Sequence, residues 1–161
     1  MNKGSNLNLM EVIFVDVHIM KQGHPLWERV IAFASQCSWV AGPSLAKRMQ
    51  DNRFAEWERV CCAAIDDRIV GFSVFCEKGG MPREYDFTPF IASVFVDETC
   101  RGQRISQQMI ARIIEYAKAL GYQTVYLKSA HRGLYEKYGF EKIADFTPVI
   151  GPADQLFKID L

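Results

Sequence analysis

The feature that most constrains the fold is an apolar segment followed by a loop, a helical repeat and another strand. Residues 88–96, TPFIASVFV, are almost entirely apolar. A strand that is apolar on both faces is covered on both sides, so we expect it at the centre of a sheet. A helical repeat follows from residue 104, and a strand is predicted over 123–129. The repeat places Ile105, Met109, Ile113 and Ala117 on one row of the helix, which Leu120 extends. A helical crossover between two strands makes them parallel.

The rest of the chain predicts short strands and helices around that unit. Asp66-Asp67 separates two strand-like segments and predicts a hairpin. The further predicted elements are strands over 11–19, 56–65, 68–77, 140–146 and 154–161, and helices over 25–37, after Gly42-Pro43 and over 132–139. The fold class is therefore α/β (α+β): a mixed, mostly antiparallel central sheet that splays between the fourth and fifth strands, with helices on both faces. We expect a bulge at the junction, in VDETC, residues 96–100.

Length and charge set broad limits on the function. A chain of 161 residues predicts one domain, 1–161. Its 19 basic and 19 acidic residues balance, so we expect neither a nucleic acid nor a membrane as partner. Glu11, Asp16 and His18 interrupt the first apolar run, so we expect no signal peptide and a cytoplasmic protein.

Cysteine and histidine spacing gives no sign of a metal site. The five cysteines form no CxxC motif, and we expect no bound metal and reduced thiols. Cys61 and Cys62 are predicted to point to opposite faces of one strand. Cys100 has an alternative role as a reactive thiol, since Arg101 and the adjoining helix start lower a thiol pKa.

The loop before the predicted helix has the composition of an anion site. The first turn of a helix carries unpartnered N–H groups and the positive end of the dipole. Two arginines flank a glycine there, and they can add charge-assisted bonds to a phosphate. A solvated turn is the alternative. The candidate residues are Arg101, Gly102, Gln103, Arg104, Ile105 and Ser106.

Segment 88–140 resembles the core of the GCN5-related N-acetyltransferase (GNAT) superfamily. That family has an apolar fourth strand, a loop of the form Arg/Gln-x-x-Gly-x-Gly/Ala, a helix, and later a segment like LYEKYGF at 134–140. The resemblance implies the GNAT fold and acetyl-CoA as cosubstrate, with its pyrophosphate on the amides of 101–106. Arg104 stands where the family usually has glycine, and Ser106 where it has glycine or alanine.

The resemblance also implies roles in catalysis. Backbone contacts to the pantetheine arm fall on Val94, Phe95 and Val96, and the Val94 N–H is the donor to the thioester carbonyl. Tyr135 matches the tyrosine that protonates the departing thiolate, whereas Tyr138 is expected to pack.

The general base is less constrained. Glu84 and Asp86 lie in the loop before the fourth strand, where either carboxylate can act through water. Both can equally be solvated loop charges, or the amine can arrive neutral. His131 is a third candidate, with helix capping as its alternative.

These observations predict an N-acetyltransferase that moves an acetyl group directly from acetyl-CoA to a primary amine in a ternary complex. A small-molecule amine is the expected acceptor, with a protein amine as the alternative. Residues 25–51 and 78–87 would set the acceptor, and the aromatic residues Trp27, Trp39 and Phe87 either line its pocket or pack in the core. A rival function is a non-catalytic acyl-CoA sensor, and a plain interaction domain is a third. A homodimer is expected from the family alone.

Overall fold

The computed structural model describes residues 13–148 and 151–161. Within those ranges the chain forms seven strands and three helices. They are β1 Asp16–Met20, α1 Trp27–Gln36, α2 Ala41–Gln50, β2 Arg59–Ile65, β3 Arg68–Cys76, β4 Phe90–Val96, α3 Ile105–Ala119, β5 Thr124–Ser129, β6 Glu141–Phe146 and β7 Asp154–Asp160. Short 3-10 turns occupy Glu98–Cys100 and Glu136–Tyr138.

The seven strands form one mixed sheet in the order β1-β2-β3-β4-β5-β7-β6. The apolar strand β4 is at its centre, as its sequence predicts. Strands β4 and β5 run parallel, and each other neighbouring pair is antiparallel. The late antiparallel pair is also confirmed. Its second member, β7, lies between β5 and β6 in the sheet. The chain therefore forms the edge strand β6 first and then returns to insert β7 beside β5.

Helices cover both faces of the sheet, which confirms the predicted fold class. The core beneath α1 and α2 includes Cys62 and Phe72, whereas the core beneath α3 includes Cys61 and Phe75. The adjacent cysteines thus lie on opposite faces, as strand geometry requires. The predicted α3 row is buried, namely Ile105, Met109, Ile113 and Ala117. Leu120, expected to extend that row, lies past the helix end and is 44% exposed.

Helices α1 and α2 approach each other closely at Gly42. A Cβ atom at that position would lie 2.2 Å from the Cys37 sulfur and 2.4 Å from the Ala34 carbonyl oxygen. Both distances are far below van der Waals contact, so only glycine fits between the helices. The second helix starts at Ala41, before the predicted start after Gly42-Pro43.

Several predicted element boundaries differ from those observed. The β2–β3 hairpin turn is confirmed at Asp66-Asp67, whose φ angles are 49° and 63°. Helix α1 starts at Trp27, two residues after Pro25. The helix predicted over 132–139 is only a 3-10 turn, which ends at Gly139 with a φ of 95°. Of the predicted first strand, residues 11 and 12 lie outside the described ranges.

The bulge occurs inside β4, so its predicted place in residues 96–100 is wrong. Phe95 pairs with Phe72 and Ala92 pairs with Val74, so Ser93 and Val94 together face Ser73. Ser93 has a φ of 54°, which is the backbone distortion that accommodates the extra residue. The acidic segment instead forms the first 3-10 turn, where Asp97 accepts a hydrogen bond from the Thr99 N–H at 2.9 Å.

Candidate active site

Strands β4 and β5 separate soon after they meet. They pair at Phe90–Tyr126 and Ile91–Leu127, and the described residues give no further β4–β5 pair. Strand β5 stays paired with β7 as far as Ser129. The edge of β4 beyond Ile91 therefore faces an open cleft rather than a neighbouring strand, as the predicted splay requires.

A cavity of about 380 Å³ lies beside this open edge. It gathers five of the nine predicted cofactor-binding residues: Val94, Phe95, Val96, Arg101 and Ser106. Ser38, Trp39 and His131 complete the lining. Of the other four, Gly102, Gln103 and Arg104 are exposed in the connecting loop, and Ile105 is buried under the helix start.

The loop between β4 and α3 is left-handed at two positions. Gly102 has a φ of 83°, and Arg104 has φ 60° and ψ 28°. A residue with a Cβ is strained in this conformation, which is the physical reason that glycine suits position 104. The loop brings the unpartnered N–H groups of the 15-residue helix α3 to the end of the cleft.

The two arginines of this loop have different surroundings. The Arg101 Nε donates to the Val96 carbonyl oxygen at 3.0 Å, and its guanidinium lies 5.5 Å from the centre of the Phe95 ring. Arg101 is therefore held against β4. The Arg104 side chain is exposed, with no hydrogen bond to any described residue, so it can turn towards a ligand.

Tyr135 is buried beside the 3-10 turn that precedes β6. Its ring packs against the rings of Tyr138, Phe140 and Phe157. Burial raises the pKa of the Tyr135 phenol to about 12, and the neighbouring Ser129 hydroxyl opposes part of that rise. The phenol therefore keeps its proton at neutral pH. Ser129 is the last residue of β5, so Tyr135 lies at the end of the splayed strand.

Tyr138 does more than the packing expected of it. Its hydroxyl shares a hydrogen bond of 2.9 Å with the Ser106 hydroxyl in the first turn of α3. Ser106 lines the cleft, so Tyr138 supports the predicted cofactor side of the site. The LYEKYGF segment thus places one tyrosine in the core and the other at the helix start.

A second cavity, of about 880 Å³, lies on the face of the sheet that α1 and α2 cover. It is bounded by α2, the end of β3, the following loop and the first part of β4, with Lys128 of β5. Trp39 lines both this cavity and the cleft, so the two spaces are neighbours that share this residue. The site therefore has two neighbouring compartments beside the splayed strands.

Two carboxylates line the larger cavity, and they differ in their bonding. Glu58 is buried, and it accepts hydrogen bonds from Arg48 and from the Ala55 and Glu77 backbone N–H groups, at 2.8 to 3.0 Å. These hydrogen bonds occupy the Glu58 carboxylate, so its role is to hold α2, the segment before β2 and the end of β3 together. The Glu77 side chain is exposed, and its carboxylate has no bonded partner among the described residues. Sequence reasoning missed Glu77, although a Glu-Lys pair that ends an apolar strand was a visible signal.

The three predicted base candidates lie elsewhere. Glu84 and Asp86 are exposed in the loop before β4 and are not among the residues that line the larger cavity. His131 lines the smaller cleft, where its backbone N–H donates to the Ser129 hydroxyl at 3.1 Å.

The remaining predicted residues have simpler surroundings. Trp27 is in the core, Phe87 packs against Tyr126, and Cys100 is buried with its sulfur 3.8 Å from an Arg68 nitrogen. Among residues 13–148 and 151–161, no group of three His, Cys, Asp or Glu side chains could hold a metal ion. In the same ranges, no helix has the length and apolarity needed to cross a bilayer.

Comparison with known proteins agrees with this geometry. Residues 27–140 match the family described as Acetyltransferase (GNAT) family. No curated protein matches the chain by sequence. Solved structures do match it by fold.

Three of these structures are similar over nearly their whole length. One, assigned as a phosphinothricin N-acetyltransferase, has a TM-score of 0.68 and 19% identity, over 92% of this chain and 99% of its own. An N-acetyltransferase from Staphylococcus aureus Mu50 has a TM-score of 0.64 and 20% identity, over 91% and 98%. An aminoglycoside 6'-N-acetyltransferase complexed with coenzyme A has a TM-score of 0.65 and 14% identity, over 90% and 96%. At these identities the likeness shows the shared fold.

Proposed function

This chain belongs to the GNAT family of acetyltransferases, and we propose that it transfers an acetyl group from acetyl-CoA to a primary amine of a small molecule. The transfer is direct, in a ternary complex, within a single domain of residues 1–161. The observation that carries the proposal is the pair of neighbouring cavities that share Trp39 beside the splayed strands. Two neighbouring cavities of this kind would let two substrates bind side by side.

The smaller cleft fits the acyl donor. Beyond Ile91, β4 offers backbone groups that β5 does not occupy, as an extended pantetheine arm would need. At the end of the cleft, the loop 101–106 and the start of α3 offer N–H groups to phosphate. Residues Val94 to Val96 would hold the arm, and Arg101 to Ser106 the pyrophosphate.

Val94 is the candidate oxyanion donor. Acetyl-CoA supplies an activated acetyl group as a thioester. The bulge releases Val94 from regular pairing with β3, because two β4 residues face one β3 residue there. An N–H group fixed by the sheet stabilises charge on the thioester oxygen without reorganisation.

Tyr135 is the candidate proton donor. Tyr135 is buried near Ser129 at the end of β5, outside the lining of the cleft, and its raised pKa keeps it protonated at neutral pH. Because this pKa is above the pKa of about 8.5 of a thiol, we propose that Tyr135 stabilises the leaving thiolate by donating a hydrogen bond to it.

Glu77 is the carboxylate we propose for accepting the amine's proton, directly or through water. It is among the residues that line the larger cavity, and its carboxylate has no competing bond among the described residues. The carboxylate also lies near the Tyr122 phenol on the α3 face, so it would reach the amine by rotation of its side chain. Glu84 and Asp86 remain candidates only if their loop moves towards the cavity. The variants Glu77→Gln, Glu84→Gln and Asp86→Asn distinguish the three candidates, because only loss of the true base should lower kcat.

The fold neighbours suggest two chemical types of acceptor. One neighbour's name refers to phosphinothricin, and another's to aminoglycosides. Both names refer to small molecules, so we propose a small-molecule amine rather than a protein amine as the acceptor.

Turnover with acetyl-CoA and a broad panel of primary amines tests the proposal. CoA release should accompany formation of an N-acetyl product of equal amount. Direct transfer predicts no acetylated enzyme by mass spectrometry when the amine is left out. Tight CoA binding without any acetylated product would instead favour an acyl-CoA sensor, and no binding would contradict both.

A further inference from the structure

We propose that the amine acceptor also carries an acid group, a carboxylate or a phosphorus oxyanion, and that Lys128 and Arg83 bind this group in the larger cavity. The inference rests on the proposed function and narrows its acceptor to amino-acid-like compounds. It excludes polyamines and other polycations as good substrates.

The charge of the cavity wall is the first observation. Four cations and two carboxylates line it: Arg48, Lys78, Arg83 and Lys128 against Glu58 and Glu77. Arg48 and Glu58 neutralise each other across 3.0 Å. With Asp154, which lies 3.9 Å from Lys128, the remaining charges are three cations and two carboxylates. This excess of one positive charge favours an anion over a polycation.

Lys128 is the second observation. Its side chain is only 18% exposed, and its nearest carboxylate oxygen, on Asp154, is 3.9 Å away. The ammonium also lies 5.0 Å from the centre of the Phe146 ring. Neither contact is a hydrogen bond, and no described residue offers one. An ammonium withdrawn from water is costly unless its donors are bonded, so this group is suited to an anionic ligand.

The place of Lys128 in the sheet is the third observation. The β4–β5 register would put it opposite Ala92 if the strands stayed paired, so Lys128 stands where the splay opens. Ala92 is two residues before Val94, which is about 7 Å along a strand. An acid group on Lys128 is then only a few bonds from an amine at the proposed oxyanion donor. This spacing suits an amino acid or its phosphonate analogue.

The loop after β3 supplies the second cation. The Lys78 ammonium donates to the Tyr85 carbonyl oxygen at 2.7 Å, which holds it in the loop. Arg83 is exposed at the cavity wall, and its guanidinium has no bonded partner among the described residues. A guanidinium binds a carboxylate or phosphonate by two parallel hydrogen bonds.

Matched pairs of amines test the proposal. Phenylalanine is compared with phenethylamine and lysine with cadaverine, since each pair differs only by the carboxylate. Glycine and aminomethylphosphonate differ only in the acid group and so separate the carboxylate from the phosphorus oxyanion. The kcat/KM of each acid should exceed that of its decarboxylated partner by about 10- to 100-fold, the range for a hydrogen bond to a charged group.

Variants show whether Lys128 is responsible. Lys128→Met should reduce the ratio of acid to decarboxylated amine at least about 10-fold. Lys118→Met is the matched control, because Lys118 is exposed on α3, on the opposite face of the sheet. This control should leave the ratio unchanged.

The outcomes separate this inference from the proposed function. Equal or better acetylation of the decarboxylated amines overturns the inference while the acetyltransferase stands. If no amine is acetylated, the proposed function fails, and calorimetry of each acid with the enzyme–CoA complex decides the binding claim. Binding that Lys128→Met weakens supports the acid site, and its absence overturns that too.

Discussion

Arg104 offers a prediction in which the backbone and the side chain act in opposite directions. Its φ of 60° is left-handed, which costs a non-glycine residue about 1–2 kcal/mol. Arg104→Gly removes that strain. Glycine also makes the unfolded chain more flexible, and this lowers the stability of the folded state by about 0.5–1 kcal/mol. A net stabilisation of about 0.5–1 kcal/mol should raise the Tm of a 161-residue chain by about 1–4 °C. Arg104→Ala keeps the strain and should leave the Tm nearly unchanged.

The same two variants should both bind CoA more weakly. The Arg104 side chain is exposed at the end of the cleft, and a guanidinium at such a site forms a solvent-screened bond to phosphate. We expect a loss of about 0.5–1.5 kcal/mol, which is about 2- to 10-fold in Kd. If the partner is the adenosine 3′-phosphate, the loss for dephospho-CoA should be smaller.

Scanning calorimetry gives the Tm without ligand, and titration calorimetry gives the Kd of CoA and dephospho-CoA. The reasoning predicts that Arg104→Gly becomes more stable and binds CoA less tightly. Tighter CoA binding by Arg104→Gly would show that the side chain obstructs the site. A lower Tm for Arg104→Gly than for Arg104→Ala would refute the strain argument.

Three further predictions concern the core and the proposed acid. Tyr135→Phe should lower kcat by about 10²- to 10⁴-fold with little change in acetyl-CoA affinity. The control Tyr116→Phe should not lower kcat, because the Tyr116 hydroxyl bonds to the Trp57 carbonyl oxygen outside both cavities. Because burial raises the Tyr135 pKa to about 12, kcat should show no basic limb from this group below about pH 10; a limb near pH 8 that Tyr135→Phe removes would contradict this. Burial also raises the pKa of Cys61 and Cys62 to about 12, so the stability these thiols contribute should be complete below about pH 8.5 and decline as pH rises towards 12. Urea unfolding of wild type and Cys62→Ala should show the smaller decline in the variant, and equal slopes would refute the assignment.

The central unit of the fold could be predicted because its signals are local. Residues 88–96 are apolar on both faces, and a strand of this kind has few places in a sheet other than the centre. The buried row on α3 repeats every four residues, and Asp66-Asp67 tolerates the positive φ angles of a tight hairpin. Each of these signals depends on neighbours along the chain.

The bulge could not be placed, because its cause is the pairing of distant residues. Ser93 takes a positive φ without a glycine to mark it, since Ser73 on β3 must face two residues at once. The insertion of β7 between β5 and β6 could not be predicted either. The strand orders β5-β6-β7 and β5-β7-β6 require the same alternation of apolar and polar residues in the sequence.

The candidate site was predictable where it follows motifs and hidden where it depends on assembly. Val94, Arg101 and Ser106 were expected to share a site, and they line one cleft. Glu77 and Lys128 lie 51 positions apart, and only the folded sheet brings them to one wall. In the sequence, each is a charged residue near the end of an apolar strand, which is common and does not by itself indicate a site.

Amide hydrogen exchange with and without acetyl-CoA tests the central claim most directly, because it locates the bound molecule on the backbone. We predict slower exchange over 92–96, the open edge of β4, and over 101–108, the loop and first turn of α3. Peptides from the exposed edge strand β6 should exchange equally in both states. Binding that leaves both predicted segments unprotected, or a complete absence of binding, would contradict the account.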